Sequence, residues 1–189
     1  MDLERTVIFD APTMLRTLLD EITDCKDVAT HAQKIELVRV IHPHSIKALS
    51  GPKDTPKYNC VMFALGIETD DTYLKMCYQC PDDVHANTAF VQFLIDRGDI
   101  LEQSSAEPKS LVVYFGKEKV EHIGRVVDDG RVQSKWGTGL LYQHAIFEVP
   151  ANYGDTVRFF TPMERRRVLR AFFEFAMARG VPFRNRHND

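Results

Sequence analysis

Residues 58–66 read Tyr-Asn-Cys-Val-Met-Phe-Ala-Leu-Gly, a short apolar run bounded by residues that start and stop helices. Asn59 is a favoured N-cap residue and Gly66 is favoured just beyond a helix end, so we predict a helix that begins at Cys60. A cysteine in the first turn of a helix lies at the positive end of the helix dipole, which lowers the pKa of its thiol. His122 opens a later apolar run and is the predicted base. Cys60 and His122 together indicate a thiol nucleophile site.

Helical patterns dominate the first half of the chain. Asp10 and Pro12 open a segment in which leucine and isoleucine recur every three or four residues over 15–22, which predicts an amphipathic helix. Residues 31–41 fit a buried strand or a helix equally well. The consecutive turn formers over 50–56 predict a loop before the Cys60 helix.

A further helix is predicted after a polar connection that carries two cysteines. Asp82 or Asp83 is its expected N-cap, and Gly98 is its expected end. Its predicted inward-facing residues are Phe90, Phe93 and Leu94.

Short apolar runs of strand length dominate the second half, at 111–115, 122–127, 131–136, 145–149 and 157–160. Asp129-Gly130 is a strong signal for a two-residue hairpin, so we expect antiparallel pairing. Pro162 starts a final amphipathic helix that Gly180 ends. Helices first, a sheet second and one helix last predict an α+β fold.

The composition limits the classes of protein to which this chain can belong. A length of 189 residues with 44% hydrophobic residues suits one globular domain over residues 1–189. A net charge of -3 gives no electrostatic case for nucleic acid or an anionic membrane. Because no apolar run is long enough for a membrane span and the N-terminus lacks the pattern of a signal peptide, we expect a soluble, cytoplasmic protein with reduced cysteines.

A third polar group is expected to orient the imidazole of His122. If Asp129-Gly130 makes the turn, the strand after it runs beside His122, which brings Ser134, or less readily Gln133, within reach of the ring. His144, on the next strand, is a further candidate for this role. The docking of the Cys60 helix against this strand is a condition that the site requires.

These residues carry a resemblance. The order of a capped cysteine helix, a strand opening with His122-Ile123-Gly124 and a following strand resembles the NlpC/P60 group of papain-like cysteine peptidases and amidases. More narrowly, residues 58–66 together with Ser134-Lys135-Trp136-Gly137, His144 and Tyr153-Gly154 resemble a papain-like domain family of unknown function. The resemblance covers roughly residues 55–162 and implies a papain-like core with helical extensions at both ends.

The resemblance implies roles for these positions. Cys60 is the nucleophile, His122 the base and Ser134 the third member, where many NlpC/P60 proteins have His, Asn or Gln. A serine hydroxyl carries no charge to stabilise an imidazolium, which departs from a full triad. The residues expected to line the substrate site or the oxyanion hole are Tyr58, Lys135, Trp136 and His144.

Two functions follow from this interpretation. The first is a thiol hydrolase or acyl transferase that acts on an amide bond in a peptide or protein, without a cofactor or a metal. The second is a catalytically inactive papain-like module that binds its partner. Cys77 and Cys80 form a C-x-x-C pair with His85 nearby, but a structural zinc site needs a fourth ligand, which only the distant Cys25 offers.

Overall fold

A computed structural model describes residues 13–51, 58–137 and 139–183 of the chain. The helices are α1 (Thr13–Thr23), α2 (His31–Ile41), α3 (Cys60–Leu65), α4 (Asp71–Cys77), α5 (Thr88–Asp96) and α6 (Arg165–Ala178). The strands are β1 (Lys47–Ala48), β2 (Glu102–Gln103), β3 (Leu111–Gly116), β4 (Lys119–Val126), β5 (Val132–Lys135), β6 (Leu141–His144) and β7 (Thr156–Phe160). The predicted α+β class is confirmed.

The strands form one antiparallel sheet in the order β1-β6-β5-β4-β3-β7-β2. Its two faces are covered by different helices. Alternate residues of β3 show this directly, because Val113 belongs to the cluster built with α3 to α6, and Val112 and Tyr114 belong to the cluster built with α1 and α2. The sheet is therefore the middle layer of the fold.

Aromatic rings fill the layer between the sheet and the last helix. Phe90 of α5 packs edge-on against Phe172 of α6 at a centroid distance of 5.5 Å, and Tyr73 of α4 packs against the same ring at 4.9 Å. All three side chains are buried. The predicted final helix is thus confirmed as α6, and these ring contacts join α4, α5 and α6 into one layer.

Three expectations for the helices need revision. Residues 31–41, which fitted either structure, form α2. Residues 71–77 form α4 within the segment that we described as a polar connection. The N-cap of α5 is Asn87, whose side chain accepts the Phe90 N–H at 3.2 Å, and not Asp82 or Asp83. A turn closed by the Val84 N–H and the Pro81 carbonyl holds the two aspartates outside the helix.

Two expectations for the strands are also wrong. The hairpin after β4 has a three-residue loop over 128–130, because the Val127 N–H donates to Arg131 and the Gly130 N–H donates to Val127. Gly130 takes the left-handed conformation that such a loop needs, with φ +75°. Residues 145–149 form no strand. The carboxylate of Glu148 accepts the Ala145 N–H at 3.0 Å and turns the chain there.

Parts of the predictions lie outside the described residues, namely the helix start at Asp10 and Pro12 and most of the loop predicted over 50–56. Across the described ranges, no helix combines the length and the hydrophobicity that crossing a lipid bilayer requires.

Candidate active site

The helix that carries Cys60 is capped as the sequence predicts. The Asn59 side chain accepts the Met62 N–H at 2.9 Å, and its amide group donates to the Ala86 carbonyl at 2.8 Å. Gly66 ends the helix in the left-handed conformation, with φ +68°. The first bond satisfies a free N–H of the first turn, and the second fixes that turn to the segment before α5.

The same helix docks on β4, which the site requires. The guanidinium of Arg125 on β4 donates to the Ala64 carbonyl at 2.7 Å and lies 5.2 Å from the centre of the Phe63 ring. At the other end of the helix, the Cys60 thiol lies by the backbone N–H of Ile123, the residue after His122. The helix that carries Cys60 therefore packs on the strand that carries His122.

The predicted lowering of the Cys60 pKa is wrong. Burial raises the pKa of the thiol to about 11, because the free-energy cost of removing the thiolate from water exceeds the stabilisation that its surroundings provide. The backbone N–H groups of Ile123, Val61 and Cys60 itself, and the charge of Lys135, act in the opposite direction. The N–H groups in the first turn of this short helix stabilise the thiolate, but this stabilisation is smaller than the free energy lost by removing the thiolate from solvent.

His122 is fully buried on β4 opposite Tyr114 of β3. Its ring is stacked on the ring of Tyr153, with centroids 3.9 Å apart and planes 12° from parallel. Its Nε2 atom has no hydrogen-bond partner within the described part of the chain. Burial, and secondarily the neighbouring His144, hold the pKa of His122 well below its usual value. The imidazole is therefore neutral at physiological pH.

Ser134 makes its hydrogen bonds away from His122. Its hydroxyl lies 2.8 Å from Nε2 of His144 and accepts the indole N–H of Trp136 at 3.0 Å. Because Nδ1 of His144 faces the Ala145 carbonyl at 2.8 Å and must donate to it, the hydroxyl proton of Ser134 goes to Nε2 of His144. The predicted orientation of the His122 ring by Ser134 is thus wrong, and the Ser134 hydroxyl belongs to a chain of bonds that joins β5 to β6.

The other candidates for this role are placed as follows. Gln133 donates to the side chain of Gln143 at 3.2 Å. His144 is fully buried, and burial lowers its pKa to about 4. His144 is close enough to lower the pKa of His122 electrostatically, so it belongs to the surroundings of the imidazole. Because His144 is neutral, it places a polar but uncharged ring near the imidazole of His122.

The predicted substrate residues divide into buried and accessible ones. Trp136 and His144 are closed off from solvent, with Trp136 packed against Tyr142 at a centroid distance of 4.3 Å, so neither offers a surface to a substrate. Tyr58 is partly exposed beside Cys60 and lies under the ammonium of Lys135, 5.1 Å from its ring centre.

Lys135 is the buried cation of the site. Its side chain is only 1% exposed, and its ammonium donates to the Gly139 carbonyl. Burial lowers the pKa of Lys135, and the neighbouring Cys60 partly opposes this. Since Cys60 and Lys135 influence each other, Lys135 is better described as an electrostatic neighbour of the thiol than as a substrate contact.

Two residues that contribute to the site had little or no signal in the sequence pattern. Tyr153 entered only through the resemblance, and its ring forms the stack on His122. Arg16 carried no signal at all, because it lies in the polar part of an ordinary amphipathic pattern, yet it is buried against the chain around Tyr153. Within the described ranges, no three His, Cys, Asp or Glu side chains are grouped closely enough to hold a metal ion.

The fold and the site define an α+β domain with a cysteine and a histidine at the contact between a capped helix and a central antiparallel sheet. The chain belongs to the family described as Domain of unknown function (DUF7689), whose model matches residues 49–161. No curated protein and no solved structure matches the chain. The match includes Cys60, His122 and Tyr153, and leaves α1, α2 and α6 outside.

Proposed function

We propose that this protein is a papain-like thiol hydrolase or acyl transferase that acts on an amide carbonyl through Cys60 and His122. The observation that carries the proposal is the position of the Cys60 thiol at the backbone of Ile123, directly after a buried imidazole with an unpartnered Nε2. A buried polar atom without a partner costs free energy, and such atoms are retained where they serve a function.

In the proposed reaction the Cys60 sulfur attacks the carbonyl carbon while the imidazole of His122 takes the thiol proton. The carbon–nitrogen bond then breaks, and the same proton passes to the departing amine. This leaves an acyl group on the sulfur, which water removes in a hydrolase and a second amine removes in a transferase. The backbone N–H groups of Cys60 and Val61 lie at the sulfur and are suited to stabilise the developing oxyanion.

The resting state of the proposed enzyme is a neutral pair. The pKa of Cys60 is raised to about 11 and that of His122 is held well below its usual value, so neither group is charged at neutral pH. Proton transfer therefore accompanies the attack instead of preceding it. Tyr58, the accessible aromatic residue at the thiol, is the proposed contact for a peptide or protein substrate.

A catalytically inactive binding module is the second candidate. Two observations favour it: the raised pKa of the Cys60 thiol and the commitment of the Ser134 hydroxyl to His144, which leaves His122 without a polar orienting group from β5. In this case the cysteine and histidine are structural residues of the interface between α3 and β4.

An acylation experiment separates the two candidates. The chain is mixed with p-nitrophenyl acetate at neutral pH, release of nitrophenolate is followed, and the acetylated residue is mapped by mass spectrometry. All measurements use a Cys25→Ala background, because Lys34 lowers the pKa of Cys25 and makes it a competing thiol. Cys77→Ala is the matched control for removing a cysteine.

The enzyme predicts acetylation at Cys60, loss of the label in Cys60→Ala and a slowing of about 100-fold in His122→Ala. Cys77→Ala should leave the rate unchanged. Labelling of Cys60 that is slow and indifferent to His122 would instead establish the inactive module.

A further inference from the structure

Arg16 of α1 is a buried cation that is held by backbone carbonyls. Arg16 is 4% exposed, and its guanidinium donates to the carbonyls of Val149 at 3.1 Å, Pro150 at 3.2 Å and Gly154 at 2.6 Å. It also donates to Ala151 at 3.4 Å and to the carboxylate of Asp155 at 2.9 Å. Because the Asp155 side chain is largely solvated, its ion pair with Arg16 contributes little. The main contacts of Arg16 are therefore its hydrogen bonds to the buried carbonyls.

These acceptors surround the turn that carries Tyr153. The 3₁₀ turn Ala151–Tyr153 is also fixed by Asp20 of α1, which accepts the Asn152 N–H at 3.1 Å. From the other side, Gly154 packs against β3, where an added Cβ would lie 2.2 Å from the Phe115 carbonyl oxygen. The turn is thus held between α1 and the sheet.

We propose that Arg16 is a positioning residue, which holds Tyr153 flat on His122 and thereby fixes the imidazole for the reaction. The inference rests on the proposed function for its catalytic part. Its structural part is independent of that function, because the parallel stack at 3.9 Å is a property of the folded chain.

The stack supplies what a conventional orienting group would supply. A cysteine hydrolase needs its imidazole held in one orientation, and Ser134, the expected orienter, bonds to His144. Within the described ranges, the rings of Tyr114 on β3 and Tyr153 of the turn contact the His122 ring, and His144 on β6 lowers its pKa electrostatically. No carboxylate is among these groups, so packing orients the ring while leaving it neutral.

The arginine comes from outside the part of the chain that the family model matches. The match covers residues 49–161, and Arg16 lies on α1. The N-terminal helix is therefore a part of the site and not an appendage, and substitutions in it should affect the imidazole.

The test measures the ring of His122 directly. Its Hε1 proton is followed by NMR, because a tyrosine ring stacked at this distance displaces that signal upfield. Tyr153→Phe keeps the ring and should keep the displacement, whereas Tyr153→Leu should abolish it. Arg16→Met should reduce the displacement and Arg16→Lys should retain part of it. Arg170→Met, at an exposed arginine of α6, is the matched control and should leave the signal unchanged.

Acylation of Cys60 by p-nitrophenyl acetate is measured on the same variants. Arg16→Met and Tyr153→Leu should slow it about 10- to 100-fold, with Tyr153→Phe close to the unmodified chain. If Arg16→Met folds and leaves the His122 signal in place, the positioning role is overturned. If Arg16→Met does not fold, Arg16→Lys takes its place, with Tyr153→Leu as the reference for complete loss of the displacement. A His122 signal in Arg16→Lys that equals that of the unmodified chain then overturns the positioning role. A displaced signal in a chain that is never acylated would instead reject the proposed function and retain the positioning.

Discussion

Replacing Asn59 by alanine should destabilise the protein by an amount that its two hydrogen bonds define. The bond from the Met62 N–H to the Asn59 side chain is an N-cap interaction, whose loss costs about 1 kcal/mol. The bond from the Asn59 amide to the buried Ala86 carbonyl adds about 1 kcal/mol. Together they predict a loss of about 2 kcal/mol in the free energy of unfolding, or a fall of about 4–8 °C in Tm.

Asn59→Ser divides this loss between the two bonds. Serine can still accept the Met62 N–H as an N-cap, but its shorter side chain cannot reach the Ala86 carbonyl, so about half of the loss is expected. Urea and thermal unfolding followed by circular dichroism give both values. Asn152→Ala is the control, because that side chain is exposed, and it should change stability by less than about 0.5 kcal/mol. Equal losses for the alanine and serine variants would refute the assignment of the cap.

Two further predictions concern the sheet. The pKa of His144 is about 4 in the folded protein, and the unfolded chain binds that proton near pH 6.5, so stability should fall as the pH drops between these values. His144 should contribute up to about 3 kcal/mol to this loss, in addition to the contribution of His122, whose pKa is also lowered by burial. Unfolding in urea at several pH values measures the loss, and a flat profile would contradict the burial of neutral rings. Gly154→Ala should cost about 2–4 kcal/mol more than Gly180→Ala, since both glycines have positive φ but an added Cβ clashes with a carbonyl of β3 only at Gly154. Thermal unfolding of the two variants checks this, and equal losses would show that the clash is relieved.

Local signals in the sequence were sufficient for the helix of the site. Asn59 and Gly66 act on groups within four residues of themselves, so the start and end of α3 follow from the sequence alone. The runs at 111–115 and 157–160 were equally clear, because both are rich in β-branched and aromatic residues.

The errors arose where distant residues decide between local alternatives. Asp82 is as good an N-cap residue as Asn87, but the hydroxyl of Tyr73 holds the Ala86 N–H at 2.9 Å, and the helix begins after that contact. Residues 145–149 are an apolar run of strand length, yet the carboxylate of Glu148 closes a turn with Ala145 and also bonds to Ser45 across the molecule. Such partners are not visible in the local pattern.

The prediction of the Cys60 pKa was wrong for the same reason, because the pKa also depends on distant residues. The helix N-terminus is a local feature and favours the thiolate, whereas desolvation depends on what α3 packs against, and desolvation dominates. This is also why the helix and its cap were predicted correctly while the ionisation state of the residue they carry was not. Ser134 was misplaced for a related reason, since its partner His144 comes from a strand whose bounds the sequence did not reveal.

The dependence of Cys60 acylation on pH tests the neutral pair. If His122 takes the thiol proton during the attack, the reactive form is thiol plus neutral imidazole, which predominates from the low pKa of His122 up to the pKa of Cys60 near 11. The rate should therefore be flat through the neutral range. An unassisted thiol reacts only as thiolate, so in His122→Ala the rate should rise about tenfold per pH unit until the thiol ionises. The slope of the logarithm of the rate against pH, measured for the unmodified chain and for His122→Ala, distinguishes base catalysis by His122 from simple ionisation of the Cys60 thiol. A rising slope in the unmodified chain would show that the imidazole takes no part.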